Sequence, residues 1–220
     1  MKAKVDIFGA GSEISKSLTI KLRSHGALVR GYSREDLDFK DIELEHLISK
    51  VNLDSDYYIF TNGLLHSKRI NEQSTREVLN SFSINLISIV RICDYVLDNN
   101  KKAKIIILGS ESGKKGSYDT SYFLSKAALK KYVEERRLSS KEQQILMVSP
   151  SIIEDSGMTM RRCDVNNLDE NRNNHPKGRF LATNEISSFI SYIIVSECDY
   201  LSNCEVEING GKFARMVYNE

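Results

Sequence analysis

The chain has no tryptophan, only two prolines, no long apolar run and almost no net charge. A formal net charge of +1 gives no overall field that would attract nucleic acid or a membrane surface. The lack of a long apolar run excludes a helix that spans a bilayer. From Met1 the chain runs straight into a strand, which leaves no room for a signal peptide. We therefore expect a cytoplasmic protein without nucleic-acid or membrane partners.

Cysteine is also scarce, and its spacing is not that of a metal site. Cys93, Cys163, Cys198 and Cys204 form no paired ligand motif, so we predict no metal site and expect reduced thiols. Cys198 and Cys204 could form a disulfide if they were oxidised. With 40% apolar and 28% charged residues, the composition is that of an ordinary soluble protein. Its length predicts one domain, residues 1–220, with a single large core.

The most informative stretch, Ile105–Tyr132, contains a strand, a polar loop and a helix. Ile105–Leu108 are consecutive apolar residues, as in a strand that is buried on both faces of a parallel sheet. The run stops at Gly109-Ser110, and helical spacing begins at Tyr122. Tyr122 and Lys126 lie one helical turn apart, so their side chains leave the same face of the helix.

These side chains outline a site for proton transfer. A tyrosine phenol has a pKa of about 10 and is therefore a poor acid or base by itself. A nearby ammonium group such as that of Lys126 can lower such a pKa by about 1–3 units, which would suit Tyr122 to general acid–base catalysis. Ser110 could donate a hydrogen bond to a substrate carbonyl oxygen. The alternative is a chance pairing, because the chain contains ten tyrosines and many lysines.

Ser110, followed twelve residues later by Tyr122-x-x-x-Lys126 and then by Ala-Ala-Leu, resembles the short-chain dehydrogenase/reductase family. The resemblance implies a doubly wound, Rossmann-type α/β fold with a parallel sheet of about seven strands. The cofactor would then lie at the carboxyl ends of the strands. The resemblance also implies a catalytic role for Asn85, on a helix predicted at Ser74–Asn99, in holding a water of the proton relay. A helix-surface asparagine is the alternative.

The first strand, Lys4–Phe8, leads through a glycine turn into a helix, an arrangement that presents helix amides to a pyrophosphate. The family pattern Gly-x-x-x-Gly-x-Gly keeps Gly9 but has Glu13 and Ser15 at the two later positions. Backbone amides do the binding, so Glu13 is tolerable, and Ser15 is small enough for close packing. The predicted pyrophosphate-binding residues are Gly9, Gly11, Ser12, Glu13 and Ile14.

The second strand, Ala27–Tyr32, ends at Ser33 and Arg34, where many dinucleotide-binding proteins carry an acidic residue for the ribose. An arginine suits a 2′-phosphate instead, because guanidinium pairs with phosphate oxygens. We therefore favour NADP(H) over NAD(H) as the cofactor, with an ordinary surface arginine as the alternative. Asp38 and Phe39 resemble the family's pair beside the adenine.

Two further strand ends resemble cofactor-binding positions of the family. Asp56–Thr61 is closed by Asn62-Gly63, and Phe60-Thr61-Asn62-Gly63 resembles the family's Asn-Asn-Ala-Gly strand end, of which only Gly63 is retained. Gln143–Val148 is closed by Ser149-Pro150-Ser151, where the family has Pro-Gly. Ile153 could contact the nicotinamide or belong to the core. The resemblance thus adds Asn62, Gly63, Tyr122, Lys126, Pro150 and Ile153 to the cofactor site.

The polar segment Asp155–Lys177 is expected to be a mobile lid over the substrate. It is followed by a helix at Glu185–Val195 and a last strand at Glu205–Ile208, which ends in Gly-Gly as in the family. The segment is locally basic, which could suit an anionic or nucleotide-linked sugar ketone. A solvated, charge-balanced loop is the alternative, because acidic residues lie among the basic ones. The basic residues are Arg161, Arg162, His175, Lys177 and Arg179; the acidic ones are Asp164, Asp169 and Glu170.

The resemblance therefore implies an NADP(H)-dependent oxidoreductase of the carbonyl reductase type, acting on a small carbonyl or alcohol substrate. Tyr122 would donate the proton, and Lys126 would lower its pKa and bind the nicotinamide ribose. The alternative is a catalytically silent protein that senses NADP(H), which the altered glycine turn suggests. A homodimer or homotetramer, packed through the helices that start near Ser74 and Tyr122, is implied by the resemblance alone.

Overall fold

A parallel six-stranded sheet organises the chain in the computed structural model, which describes residues 2–40, 43–162 and 165–214. The strand order is β2-β1-β3-β4-β5-β6, so the chain winds outwards in both directions from β1 and β3. The strands are β1 (Lys4–Phe8), β2 (Leu28–Tyr32), β3 (Tyr57–Phe60), β4 (Lys104–Leu108), β5 (Gln144–Pro150) and β6 (Cys204–Ile208).

Helices cover both faces of the sheet. The helices are α1 (Glu13–Ser24), α2 (Leu44–Ser49), α3 (Thr75–Phe82), α4 (Ser88–Asn99), α5 (Ser112–Lys115), α6 (Thr120–Glu135), α7 (Gly157–Met160), α8 (Val165–Asn173) and α9 (Thr183–Val195). A 3-10 turn spans Ile70–Glu72, and a π-helical turn, Ser83–Ile87, joins α3 to α4. The order strand, helix, strand gives the doubly wound α/β arrangement that the sequence predicts.

Neighbouring residues of the central strands face opposite sides of the sheet. Ile105 and Ile107 pack into one apolar cluster with α4 and α6, while Ile106 packs into a second cluster with α1 and α9. Such two-sided burial explains why β3, β4 and β5 are runs of apolar residues rather than alternating ones. All six strands located in the sequence are confirmed to within one or two residues at each end.

The family resemblance implies about seven strands, and the described residues contain six. In the strand order, β2 lies at the edge of the sheet. Only 24 residues separate Tyr32 at the end of β2 from Tyr57 at the start of β3. A further parallel strand there would need two crossover connections of about a dozen residues each, and the segment is too short for both.

The segment Asp155–Lys177, which was expected to be a loop, contains two helices, α7 and α8. The second of them, α8, makes up most of the second half of the segment. Cys163 and Asp164, both named in the sequence analysis, lie outside the described residues. Each helix in the described ranges is too short or too polar to cross a membrane. In those same ranges, no three His, Cys, Asp or Glu side chains are placed to hold a metal ion.

Candidate active site

Ser110 is fixed at the carboxyl end of β4 by the residues on either side of it. A side chain at Gly109 would overlap Ser149 Oγ on the neighbouring strand β5, so only glycine fits there. On the other side, the Glu111 N–H donates to the Pro150 carbonyl at 3.0 Å. The Ser110 hydroxyl accepts the Ser112 N–H at 3.1 Å. The turn that carries Ser110 is thus tied to β5.

Tyr122 is placed in the first turn of α6 by a cap that the sequence analysis missed. Asp119 Oδ1 accepts the Tyr122 N–H at 3.0 Å, and Oδ2 accepts the His66 N–H at 2.6 Å from the loop after β3. Asp119 is only 1% exposed. An aspartate three residues before the tyrosine is a recognisable N-cap signal. The cap therefore joins two loops beside the candidate site.

The structure brings the serine, tyrosine and lysine of the sequence motif together. Ser110 lies close enough to the Tyr122 hydroxyl to lower the pKa of the phenol. Lys126 Nζ lies 5.8 Å from the centre of the Tyr122 ring and donates to the Leu108 carbonyl at 2.9 Å. Tyr122 and Lys126 are 6% and 2% exposed, so this group of side chains is largely shielded from solvent.

The predicted lowering of the tyrosine pKa was wrong for the protein by itself. Burial raises the pKa of Tyr122, the hydrogen bond from Ser110 lowers it, and the charge of Asp119 raises it, with a net increase. Burial also lowers the pKa of Lys126 to about 8. The ammonium of Lys126 is directed to a backbone carbonyl beside the ring, and desolvation of the phenol dominates. Tyr122 is therefore protonated at neutral pH, the state that a proton donor needs.

Asn85 is fully buried in the π-helical turn between α3 and α4. Its Oδ1 accepts the Leu64 N–H at 2.7 Å, and its Nδ2 donates to the Leu64 carbonyl at 2.8 Å and to Ser81 Oγ at 3.1 Å. The side chain thus clamps the loop that follows β3. Single π turns occur often at functional sites, because they redirect the helix backbone. A role for Asn85 in a water relay stays a prediction.

Replacing Asn85 with alanine should lower the free energy of unfolding by about 2–3 kcal/mol, because the N–H and carbonyl of Leu64 would be left without partners. Urea unfolding would measure the loss. Asn99→Ala is the matched control, since Asn99 caps the Tyr95 carbonyl from an exposed position on the same helical segment. Equal losses in the two variants would contradict the clamp.

The glycine turn packs directly against the end of β3. Gly9 has a φ of +84°, and a Cβ there would lie 2.7 Å from the Asn62 backbone nitrogen. Ser12 caps α1 by accepting the Ser15 N–H at 3.2 Å. A Cβ at Gly11 would meet no atom within 4 Å. The turn that leads into Glu13 and Ile14, the first residues of α1, thus has open space beside Gly11.

Two departures from the family pattern contact each other in the fold. The Ser15 and Thr61 hydroxyls lie 2.6 Å apart, and Thr61 Oγ1 also donates to the Phe8 carbonyl at 3.0 Å. Ser15 is fully buried, so its hydroxyl is used within the protein. A further departure, Glu13, forms an ion pair with Lys16 at 2.9 Å, and both side chains are more than half exposed. These residues therefore alter the turn without blocking the start of α1.

Some of the predicted cofactor-binding residues after β2 already bond within the protein, whereas others are exposed. The Ser33 N–H and hydroxyl both donate to Asp36 Oδ2, at 2.8 and 2.7 Å, which leaves Ser33 little capacity for a ligand. Arg34 is exposed and has no hydrogen-bond or ion-pair partner within the described residues. Asp38 Oδ1 accepts the Lys40 N–H. Phe39, expected beside an adenine, is instead buried, with its ring centre 6.1 Å from that of Phe8.

The ends of β3 and β5 each contribute a buried polar atom without a partner, Asn62 Oδ1 and Ser151 Oγ. Asn62 Nδ2 donates to the Ile84 carbonyl at 2.7 Å, while its Oδ1 is buried without a partner. A Cβ at Gly63 would lie 3.4 Å from Met158 Cε, so α7 lies over this strand end. Pro150 borders Ser110 through its carbonyl, as described above. Ile153 packs in the core cluster on the α1 and α9 side, which favours the core alternative.

The basic residues near the lid are largely engaged within the protein. Arg179 makes a two-point ion pair with Glu185, at 2.7 and 2.9 Å. His175 is 7% exposed and donates to the Asn209 carbonyl at 3.1 Å, and burial lowers its pKa. Arg161 and Arg162 have interactions of their own. This arrangement favours the charge-balanced alternative over a site for an anionic substrate.

Comparison with known proteins gives a family match and several similar folds. The family model described as short chain dehydrogenase matches residues 43–166, more than half of the chain. None of the curated proteins matches.

Three solved structures share the fold at low sequence identity. A glucose/ribitol dehydrogenase of the short-chain dehydrogenase/reductase type from Brucella melitensis has a TM-score of 0.79 and 20% identity, over 96% of this chain and 99% of that one. ElxO with NADP bound has a TM-score of 0.82 and 19% identity, over 98% and 100%. A short-chain dehydrogenase/reductase from Serratia marcescens has a TM-score of 0.81 and 17% identity, over 96% and 98%.

Proposed function

Because the chain belongs to the short-chain dehydrogenase/reductase family, we propose that it is an NADP(H)-dependent oxidoreductase that interconverts a ketone and a secondary alcohol. The observation that carries the proposal is that Ser110 and Lys126 both lie beside the buried Tyr122 side chain, with Lys126 Nζ 5.8 Å from its ring centre. The alignment of a proton donor and a second hydroxyl donor suits a carbonyl oxygen, which gains negative charge during reduction.

The strand ends fit a dinucleotide. The turn at Gly9 directs the first-turn amides of α1 towards open space beside Gly11, as pyrophosphate binding requires. The unsatisfied Asn62 Oδ1 offers an acceptor at the next strand end. Gly9, Gly11, Ser12, Glu13 and Ile14 would hold the pyrophosphate, and Arg34 would hold a 2′-phosphate. When bound, the nicotinamide supplies or accepts the hydride.

The side chains of the site supply the proton. In the reducing direction, the Ser110 hydroxyl donates a hydrogen bond to the ketone oxygen, and Tyr122 transfers its proton to that oxygen as the carbonyl carbon gains hydride. The raised pKa of Tyr122 keeps that proton in place beforehand. Transfer leaves a phenolate, which the nearby ammonium of Lys126 stabilises. The products are a secondary alcohol and a tyrosinate that must regain a proton for the next turnover.

The test is oxidation of NADPH by purified protein in the presence of a panel of ketones, including the activated diketone 9,10-phenanthrenequinone. We expect ketone-dependent loss of NADPH absorbance and, in the reverse direction, alcohol-dependent formation of NADPH. Binding of NADPH without turnover of any member of the panel would instead favour the silent NADP(H) sensor. Absence of binding to either dinucleotide would contradict both functions.

Arg34→Ala should raise the Kd for NADPH roughly tenfold and leave the Kd for NADH nearly unchanged, because only NADPH carries the 2′-phosphate that the guanidinium would pair with. Fluorescence titration of both nucleotides measures the ratio. Arg76→Ala is the control, since Arg76 is exposed on α3. If Arg34→Ala weakens both nucleotides equally, the preference for NADP(H) is wrong.

We also propose a homodimer or homotetramer that acts in the cytoplasm. Leu79 on α3 and Leu124 on α6 are 61% and 45% exposed, and these are the helices expected at the interface. Three cysteines of the described residues, Cys93, Cys198 and Cys204, are free thiols, which supports a reducing compartment. Light scattering after gel filtration tests the assembly, and Leu79→Glu should shift it towards the monomer.

A further inference from the structure

The residue that follows Ser110 is a buried carboxylate held by two lysines. Glu111 is 4% exposed, and its Oε1 lies 2.8 Å from Lys115 Nζ and 3.0 Å from Lys212 Nζ. Lys115 lies one turn further along α5, so that pair is local. Lys212 comes from the segment after β6, about a hundred residues further along the chain. A buried carboxylate needs such partners, because an unpaired one is costly to desolvate.

The segment that carries Lys212 also contacts the end of the lid region. The Asn209 carbonyl accepts the His175 Nε2–H at 3.1 Å and the Lys212 N–H at 3.1 Å. Gly210 has a φ of +60°, and a Cβ there would lie 2.7 Å from His175 Cε1. Asn209–Lys212 is therefore packed on His175 at one end and joined to Glu111 at the other.

We propose that Glu111 and Lys212 are positioning residues that hold the Ser110 turn in register with Tyr122, and that they act through the segment after β6. The inference rests on the proposed function, since Ser110 matters only if it contacts the ketone oxygen. Glu111 fixes the turn from two sides, because its N–H bonds to the Pro150 carbonyl while its carboxylate binds Lys212. Burial raises the pKa of Glu111, but the two lysines lower it by more than burial raises it. The pKa therefore falls below its usual value, and the carboxylate is charged.

Loss of this ion pair should displace the turn rather than the dinucleotide-binding residues. The glycine turn and α1 lie at β1, on the other side of β3 from β4. A shift of Ser110 by a fraction of an ångström would misalign its hydroxyl with the substrate oxygen. The effect should therefore fall on kcat, while the affinity for NADPH is kept.

The experiment compares Glu111→Gln, Lys212→Met and the double variant with wild type, using NADPH and 9,10-phenanthrenequinone. We expect each single variant to lower kcat roughly tenfold, with the Kd for NADPH within about twofold, and the double variant to lose no more than either single one. Lys212→Arg, which keeps the cation, should recover most of kcat. Lys114→Met is the control, since Lys114 lies on the same helix and pairs with Glu207 at 2.6 Å.

The outcomes separate this inference from the proposed function. If Lys212→Met has the kinetics of Lys114→Met, or if the losses in the double variant are additive, the positioning role is wrong. If wild type shows no turnover, the proposed function fails, and amide hydrogen exchange of residues 109–116 then tests whether the Glu111–Lys212 ion pair holds the turn. Faster exchange in Lys212→Met, but not in Lys114→Met, would support this role of the ion pair, and equal exchange would overturn it.

Discussion

Tyr122→Phe is expected to lower kcat for ketone reduction by roughly a thousandfold, within the range for loss of a general acid. The phenyl ring would keep the packing of a side chain that is 6% exposed. Only the hydroxyl beside Ser110 is removed, so the proton donor is lost and the fold is retained. The Kd for NADPH should stay within about twofold, because the loss falls on the transition state rather than on binding.

Two measurements test this expectation: NADPH oxidation in the steady state and NADPH binding by fluorescence titration. Tyr118→Phe is the matched control, since Tyr118 lies four residues earlier in the chain, is 55% exposed and has its ring against Arg69. We expect Tyr118→Phe to keep kcat within about twofold of wild type, because the removal of an exposed hydroxyl has little effect. If Tyr122→Phe turned over ketones at the wild-type rate, the proposed role of Tyr122 as proton donor would be contradicted.

The serine, tyrosine and lysine could be located from the sequence because local rules fix them. A buried strand ends at a glycine that packing requires, and a helical spacing of four residues aligns Tyr122 with Lys126. The direction of the Tyr122 pKa could not be predicted in the same way. It depends mainly on burial, which follows from tertiary packing.

The departures from the family pattern also include features that the sequence can predict and features that it cannot. Ser15 and Thr61 are 46 residues apart, so the sequence gives no sign that their hydroxyls lie in contact. The length of the segment between Tyr32 and Tyr57 can be read from the sequence, and it leaves too few residues for a further parallel strand beyond β2. The sequence located Asn85 on a helix; it predicted neither the π turn nor the hydrogen bonds to Leu64.

Gly9→Ala should have the largest effect on stability, because two costs coincide at one residue. The φ of +84° is strained for any residue with a Cβ, and that Cβ would lie 2.7 Å from the backbone nitrogen of Asn62, which cannot rotate away. We expect the free energy of unfolding to fall by about 2–5 kcal/mol. Since Asn62 and the start of α1 would both shift, the affinity for NADPH should also fall.

Gly11→Ala is the matched control, two residues along the same turn. A Cβ at Gly11 would meet no atom within 4 Å, and its φ lies outside the strained region. Its stability should therefore change by no more than about 0.5 kcal/mol. Urea unfolding separates the two variants without any substrate. If Gly11→Ala loses NADPH affinity at unchanged stability, the open space beside Gly11 is where the dinucleotide lies. If Gly9→Ala unfolds like wild type, the close packing of the glycine turn against β3 is wrong, and the geometry of the cofactor site is wrong with it.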